Sequence, residues 1–489
     1  MGEELTLFRL DFNRSIRIEA RPERLTAEPG AILLREVMER LGISRWIAQW
    51  LCDPRDPKLI THPMEELLNT SVLMLAQGWR DHDDADSLRD DPALRLAVST
   101  RRGISPLEMR PRIEGQRLDK NPLVPDGLAS QPTLSRFLSL VGEPVNCGVL
   151  RAGLLKVATQ RIRAMNHGRR LKRLTIDIDS LPVEVEGHQP GSEHNGHYHA
   201  RIYHPLMALA AETGDLLDVQ LRSGHVHTAN GSLGFVESLI ERVEKAICEK
   251  AAVRVDAGFP EENFLSGLER RETPYLARVK NNAVLDRMAA PHLVQPPPRV
   301  PGEEPRAWYY EKSYQAKSWS RARRVVLVVL EQPDQLFLHH FWIVTSWTMD
   351  EIDADDLLAH YRQRGTAEGY MGELMDVLAP ALSSSPRPKK HYREHAIEES
   401  NSTISAFGHN EARLILNALA YNLMHTLRVL MESATGLGWS LRRLRERILK
   451  TPARILLHGR RAVVVIGQSA AHLWQSLATE LAQLRLAES

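Results

Sequence analysis

Cysteine is scarce in this chain, with only three among 489 residues and no pair spaced as in a CxxC motif. That scarcity argues against a disulfide framework or a thiolate zinc site, and it predicts a reducing compartment. Long apolar runs are lacking too, since none approaches the roughly 20 residues that a membrane-spanning helix needs. The acidic start, Met1-Gly2-Glu3-Glu4, is unlike a secretory signal. We therefore expect a soluble, cytoplasmic protein without a membrane partner.

An excess of either charge sign is also missing, because 63 basic residues face 62 acidic ones for a net charge of +1. Bulk charge therefore does not predict a nucleic-acid partner, but clustered cations can still neutralise phosphates locally. Ordinary solvated helix faces are an equally good interpretation of such clusters. The two basic clusters are Arg161, Arg163, Arg169, Arg170, Lys172 and Arg173, and Arg442, Arg443, Arg445, Arg447, Lys450 and Arg454.

Three acidic residues are distinguished by their places in the predicted elements. The apolar runs Leu174–Asp179 and Val253–Asp256 each predict a strand that ends in aspartate. Far downstream, Tyr361, Arg364 and Glu368 lie at i, i+3 and i+7 of a helix predicted over residues 353–377, so they share one face. Two strand-end aspartates and one helix glutamate make up the acidic set that a two-metal phosphoryl-transfer site needs.

The order of elements indicates the fold class. Strands are predicted over 174–179, 196–203 and 216–221, then a helix over 232–250, a strand over 253–256, a helix over 260–271 and a strand over 275–279. This β-β-β-α-β-α-β order is that of an RNase H-like core, in which the first and fourth strands are adjacent. We expect an α/β mixed-sheet core that is interrupted by a β-rich insertion and flanked by helical N- and C-terminal regions. The predicted segments are a helical DNA-end-binding or dimerisation region at 1–150, core at 171–280, insertion at 281–346, core with the glutamate helix at 347–390, and helices at 391–489.

The acidic set suits a hard divalent cation, because Mg²⁺ and Mn²⁺ prefer carboxylate and phosphate oxygens. Asp177 competes with Asp179 for the first position, since residues two apart on a strand point to the same face. We prefer Asp179, which stands at the strand end before Ser180, and interpret Asp177 as a hydrogen-bonded structural carboxylate. Arg364, one turn before Glu368, would bind a phosphate oxygen or orient the glutamate.

Three motifs together resemble those of a known family. Ile176-Asp177-Ile178-Asp179-Ser180, Asp256-Ala257-Gly258-Phe259 and the Tyr361-Arg364-Glu368 signature resemble bacterial insertion-sequence DDE transposases. These belong to the RNase H-like superfamily, in the group-one branch with a β insertion and a Y-R-E signature. The resemblance covers roughly residues 170–390. It implies that Asp179, Asp256 and Glu368 are the catalytic and metal-binding triad, with two Mg²⁺ or Mn²⁺ ions.

The resemblance further implies a DNA substrate. Such a transposase cuts at the terminal inverted repeats of its own element by hydrolysis and joins the ends to target DNA by attack of a 3′-hydroxyl. A homodimer is expected, because two ends are held at once. The implied DNA contacts are Tyr361, Arg364, Lys280, Trp319, Lys389 and Lys390.

One position departs from the family pattern. The signature expects a lysine seven residues after Glu368, where this chain has Met375. Either Lys389 or Lys390 substitutes, or DNA binding is weakened. Relatives with the insertion use a tryptophan to stack on a flipped base, and Trp308, Trp319 and Trp342 are the candidates here. The polar residues around Trp319 favour it for this role. Trp342, between Phe341 and Ile343, is interpreted as a core residue.

Two other functions compete with transposition. A zinc hydrolase would use histidines that lie close in sequence, although no HExxH motif accompanies them. One of these histidines could instead flank the acidic site and contact DNA. A transposase-derived DNA-binding protein with weakened catalysis would account for Met375. The histidines are His194, His197, His199, His204, His225 and His227.

Overall fold

The computed structural model describes most of the chain at the level of individual residues. The described residues are 3–4, 12, 15–16, 19–20, 23–101, 105–107, 127–294, 306–331, 337–384, 399–458 and 461–484.

Strands fall in three stretches: the N-terminal 26 residues, the middle of the chain and its last 40 residues. They are β1 Glu3–Glu4, β2 Glu19–Ala20, β3 Leu25–Thr26, β4 Leu171–Ser180, β5 Val183–Glu184, β6 Glu193–Asn195, β7 Ala200–Tyr203, β8 Leu206–Ala210, β9 Leu216–Gln220, β10 Cys248–Val255, β11 Tyr275–Val279, β12 Ala307–Tyr314, β13 Arg323–Leu330, β14 His339–Thr345, β15 Ala453–His458 and β16 Arg461–Ile466.

Helices precede, cover and follow the central strands. They are α1 Gly30–Arg40, α2 Ile43–Trp50, α3 Met64–Gln77, α4 Pro92–Val98, α5 Gln131–Val141, α6 Pro144–Met165, α7 Ser232–Ala246, α8 Glu262–Arg270, α9 Ala283–Ala289, α10 Ala354–Arg362, α11 Arg364–Val377, α12 Glu399–Thr435, α13 Leu441–Leu444 and α14 Gln468–Gln483. Short 3-10 helices lie at Pro57–Leu59, His82–Ala85 and Ala290–His292, and a π turn at Arg445–Leu449.

The chain divides into two compact units. The first contains residues 1–49, 53–137 and 426–489, and the second contains residues 50–52 and 138–425. N-terminal and C-terminal residues therefore share the first unit. The five segments proposed from the sequence stay a prediction, since nothing in the structure tests their functional boundaries.

A large mixed sheet forms the centre of the second unit. Its strand order is β12-β13-β14-β11-β10-β4-β8-β9. The strands β4, β10 and β11 are parallel, and the remaining neighbours pair antiparallel. The first and fourth core strands, β4 and β10, are adjacent, as the RNase H-like order predicts. The predicted α/β fold class is confirmed, and the β-rich segment adds β14, β13 and β12 to the edge of the same sheet.

Both faces of this sheet are covered by helices. On one face, apolar side chains of β4 and β10 pack against α6, α7 and α8; on the other, Leu276 and Ile343 pack against Leu357 and Leu358 of α10. Strands buried on both faces are characteristic of sheets with crossover helices. The acidic residues of the site lie on the face that α10 and α11 cover.

The predicted second core strand is wrong. Residues 196–203 do not join the large sheet; their latter half is β7, the central strand of a small sheet with order β5-β7-β6. The second core strand is instead β8, which pairs with both β4 and β9. All five residues of β8 are buried.

The predicted glutamate helix is also divided in two. A single helix was expected over 353–377, but α10 ends at Arg362 and α11 begins at Arg364. Gln363 between them keeps right-handed helical dihedrals, with φ −61° and ψ −15°. The chain therefore continues in nearly the same direction, which keeps Tyr361 and Arg364 close.

The first unit contains α1, α3 and α4, together with a three-stranded sheet of order β16-β15-β3. Asp91 caps α4 by accepting from the Leu94 N–H at 2.9 Å, and Thr26 donates to the other oxygen of Asp91 at 2.7 Å. The strands β15 and β16 pair antiparallel as a hairpin.

The helix α12 contains the most apolar long segment among the described residues. Its stretch Ala406–Thr435 is long and apolar enough to cross a membrane by length and composition, with mean hydropathy 1.2 over its best window. That window is 89% buried inside the protein. The core helix of a folded domain meets the same two criteria, so this segment is weak grounds for a membrane span.

Candidate active site

Asp179 and Asp256 are brought side by side by strand register. The strands β4 and β10 run parallel with Ile178 paired to Val255, so the next residue on each chain is one of the two aspartates. Neighbouring strands lie about 4.8 Å apart. The two carboxylates therefore leave the same edge of the sheet next to each other, at the carboxyl ends of its central strands.

Backbone amides orient both carboxylates. The Ser180 N–H donates to Oδ1 of Asp179 at 2.8 Å, and the Gly258 N–H donates to Oδ1 of Asp256 at 2.9 Å. The turn after Asp256 is tight: a Cβ added to Gly258 would lie 3.1 Å from both Oδ1 of Asp256 and Cγ2 of Thr228. Glycine at this position therefore permits the turn that aims Asp256 into the site.

Arg364 connects the strand side of the site to the helix side. Its guanidinium is buried and donates to Oδ2 of Asp179 at 2.6 Å, while its Nε lies 3.1 Å from Oε1 of Glu368. The Glu368 side chain is 57% exposed, so it remains open to solvent and substrate. Arg364 thus gathers two of the three predicted acidic residues around one positive charge.

Burial raises the pKa of Asp179, and the nearby negative charge of Asp256 raises it further, against the opposing effect of Arg364. Ionising Asp179 therefore costs more here than in water, because the charge is desolvated beside a second carboxylate. A bound cation would lower that cost. The carboxylates are thus set close enough to interact electrostatically, which is what a cation site requires.

The neighbouring Asp177 has a different environment. Both of its oxygens accept from Arg254 at 2.6 Å, in an ion pair whose two side chains are 0% exposed. Arg254 also donates to the His360 carbonyl. Asp177 has no oxygen facing the solvent. The sequence analysis did not single out Arg254. The alternation of Val253-Arg254-Val255-Asp256 nevertheless places Arg254 on the same face of the strand as Asp256, which is also the face of Asp177, the ion-pair partner of Arg254.

The carboxylates do not form a ready-made metal cage as they stand. In the part of the chain that the structure describes, no group of three His, Cys, Asp or Glu side chains is close enough to hold one ion. At the acidic site, the Arg364 guanidinium lies between Asp179 and Glu368. The donor set itself fits Mg²⁺ or Mn²⁺, since every candidate ligand is a carboxylate oxygen.

A family model described as "Transposase DDE domain group 1" matches residues 8–386 and 389–488. The chain belongs to this transposase family.

Curated proteins and solved structures give no further information about this transposase. No curated protein matches the chain. Among solved structures, a cryo-EM structure of a piggyBac transposase synaptic complex with hairpin DNA aligns with 95% of this chain and 86% of its own, at 11% identity and a TM-score of 0.40. A similarity this low carries no argument about fold or activity.

The residues implied as DNA contacts lie in different surroundings in this transposase. Lys280 is exposed directly after β11. Tyr361 is half-buried against Phe341, with ring centroids 6.3 Å apart, and burial raises the pKa of its phenol. Met375 is half-buried on α11. Lys389 and Lys390 lie outside the described residues.

Trp319 does not have the surroundings of a base-stacking residue. Its side chain is only 5% exposed, the Arg323 guanidinium lies 4.9 Å from its ring centroid, and Tyr314 packs on it edge to face at 5.6 Å. With both partners in place, no ring face is open to a base. Polar neighbours in sequence misled the prediction, because Arg323 turns inward to pair with Glu262 and Glu269. Trp342 is fully buried, in agreement with the core interpretation.

The first basic cluster is partly structural. Arg161 is 3% exposed and paired with Asp215, and Arg163 donates to the Ala246 carbonyl at 2.9 Å. These two cations are therefore committed to the fold. The local density of arginine in the sequence does not distinguish a phosphate-binding patch from such internal pairing.

Proposed function

We propose that this transposase cuts and joins DNA at the ends of its own insertion sequence, with Asp179, Asp256 and Glu368 as catalytic and metal-binding residues. The observation that carries the proposal is the parallel register of β4 and β10, which sets two carboxylates side by side opposite the exposed Glu368 of α11. This arrangement supplies hard oxygen ligands for two Mg²⁺ or Mn²⁺ ions.

The bound ions would stabilise negative charge on the attacking and leaving oxygens of an in-line displacement. In cleavage, a water oxygen bonds to phosphorus as the P–O3′ bond breaks, which frees a 3′-hydroxyl. In joining, that 3′-oxygen attacks a target phosphodiester and displaces its 3′-oxygen. Arg364 orients Asp179 and Glu368 for both steps, and the amides of Ser180 and Gly258 hold Oδ1 of Asp179 and Oδ1 of Asp256.

The choice of Asp179 over Asp177 follows from their partners. Asp177 is closed off by Arg254, and breaking that buried pair would leave an uncompensated charge. Asp179 interacts electrostatically with Asp256, and its Oδ2 shares Arg364 with the solvent-exposed Glu368. We propose a homodimer on DNA, acting in the cytoplasm on both terminal inverted repeats.

A purified-protein assay tests this function. Duplexes that carry the repeats flanking the gene should be cut in Mg²⁺ or Mn²⁺ but not in EDTA, and Glu368→Gln should abolish cutting while retaining DNA binding. Asp376→Asn is the matched control, because Asp376 is an exposed carboxylate on the same helix. Cutting that survives Glu368→Gln would refute the assignment.

A transposase-derived DNA-binding protein is the second candidate, favoured by Met375 in place of the signature lysine. It predicts that the wild-type chain binds the repeats but does not cut them in either metal. Met375→Lys should then restore cutting. A wild-type chain that cuts excludes this candidate.

A further inference from the structure

An exposed aromatic residue stands beside the acidic site. Tyr198 lies in the turn Gly196–His199 between β6 and β7, and its side chain is 37% exposed. The next residue, His199, has φ +54°, a left-handed conformation that is uncommon outside glycine and costs about 1 kcal/mol or more. A strained non-glycine turn of this kind often occurs at functional sites, where the surrounding structure holds it in place.

The turn is anchored next to Asp179. After β4 ends, β5 pairs with β7 through Val183 and Tyr203, and the Leu181 N–H donates to the Pro205 carbonyl at 3.3 Å. The small sheet therefore begins directly after the end of β4 that carries Asp179. Burial raises the pKa of the Tyr198 phenol, and the charges of Asp179 and Asp256 raise it further.

Two histidine rings contact the Tyr198 ring. It packs edge to face against the neighbouring His197, with ring centroids 4.8 Å apart, and against buried His204, with ring centroids 6.3 Å apart. His204 Nδ1 lies 3.0 Å from the Val226 carbonyl oxygen. Arg222 donates to the His204 carbonyl at 2.9 Å and to the Thr228 carbonyl at 3.0 Å. Arg222 thus connects His204 to the loop that contains Thr228. The Thr228 hydroxyl lies 3.2 Å from the Ser180 hydroxyl.

We propose that Tyr198 stacks on a nucleobase next to the phosphate that is cut, so that it holds the end of the element against Asp179 and Asp256. The inference rests on the proposed function. An aromatic ring that packs edge to face against two histidines and is still 37% exposed suits base stacking, which is tolerant of sequence because every base has a π face. The buried Trp319 cannot take this role as placed.

A double-mutant cycle between protein and DNA tests the contact. Affinity is measured in EDTA, where no cutting occurs, for repeat-end duplexes that carry a single abasic site at each position around the cut phosphate. With wild type and Tyr198→Phe, one abasic position should weaken binding about 10- to 100-fold. With Tyr198→Leu, binding of the intact duplex should weaken by a similar factor, and the abasic site should cause no further loss.

The controls separate this contact from folding and from the proposed function. Phe337→Leu removes another exposed aromatic, 78% exposed before β14, and should leave the abasic dependence unchanged. A wild-type abasic scan with no sensitive position would overturn the inference even if Tyr198→Leu failed to fold. If wild type cuts the ends but Tyr198→Leu keeps the abasic dependence, the stacking role is wrong and the transposase function stands. If wild type neither binds nor cuts, both are wrong.

Discussion

At the residue scale, two aspartates of one strand have opposite surroundings. Asp177 and Asp179 lie on the same face of β4, yet Asp177 is sealed in an ion pair with Arg254, whereas Asp179 shares Arg364 with the exposed Glu368. The sequence favoured Asp179 only by its place at the strand end. In the structure their partners distinguish them, since Arg254 is directly opposite Asp177 in the strand register.

The buried pair should be essential to stability. Asp177→Asn leaves the Arg254 charge uncompensated in a site with no solvent access, so we expect unfolding free energy to fall by about 3–5 kcal/mol. Urea unfolding at neutral pH measures this. Asp179→Asn is the matched control and should abolish cutting with a much smaller loss of stability, because Arg364 keeps Glu368. Equal losses from the two variants would contradict the division of roles.

The stability of the protein should depend on pH through the buried His360. Burial, aided by the charge of Arg254, lowers the pKa of His360 from 6.5 to about 4. Between these two pKa values, the unfolded chain therefore binds a proton on His360 that the folded protein does not bind. The stability contributed by neutral His360 is complete above pH 6.5 and is lost as pH falls toward 4. His360→Gln should flatten this part of the curve of unfolding free energy against pH; an unchanged slope would show that another group is responsible.

At the element scale, the predictable parts are those with clear periodicity or clear ends. The strands β4 and β10 were evident because apolar runs end in aspartate, and the β-β-β-α-β order placed them together. The second core strand was missed because β8, Leu-Met-Ala-Leu-Ala, is buried on both faces and shows no alternation. The alternation around β7 reflects a small, separate sheet that is half open to solvent.

The helix α11 has an unusual exposed face around Glu368. Gly365, Gly369 and Gly372 lie on it, and a Cβ added to any of them would meet nothing within 4 Å. Because an added Cβ would meet open space, the packing of the fold does not require glycine at these positions. Glycine inside a helix nevertheless costs about 0.5–1 kcal/mol relative to alanine. The open face suits close approach of a DNA backbone.

Alanine at one of these positions tests that interpretation. Gly369→Ala should raise unfolding free energy by about 0.5–1 kcal/mol in thermal or urea unfolding. We expect the same variant to bind the repeat-end duplex more weakly, because its methyl group stands beside Glu368. A stability gain without any loss of affinity would show that DNA does not approach this face.

At the scale of the whole molecule, the region predicted as a β insertion extends the main sheet. The strand β14 pairs with β11, and β13 and β12 follow outward. The sequence predicted a β-rich segment there but not the strand with which it pairs, because pairing across some 65 residues between β11 and β14 has no local signal. That continuity explains why Trp319 and Trp342 are buried in the same apolar core as the strands of the catalytic region.

The stability of the whole chain should depend on divalent metal. Desolvated Asp179 beside Asp256 destabilises the metal-free fold, and a ligand that binds only the folded state stabilises it by mass action. Mn²⁺ at 100 times its dissociation constant should add about 2.7 kcal/mol, seen as a rise in Tm. Asp256→Asn should remove that rise, whereas Asp376→Asn, on the exposed side of α11, should keep it. An equal rise in Tm for both variants would place the responsible metal outside the acidic site.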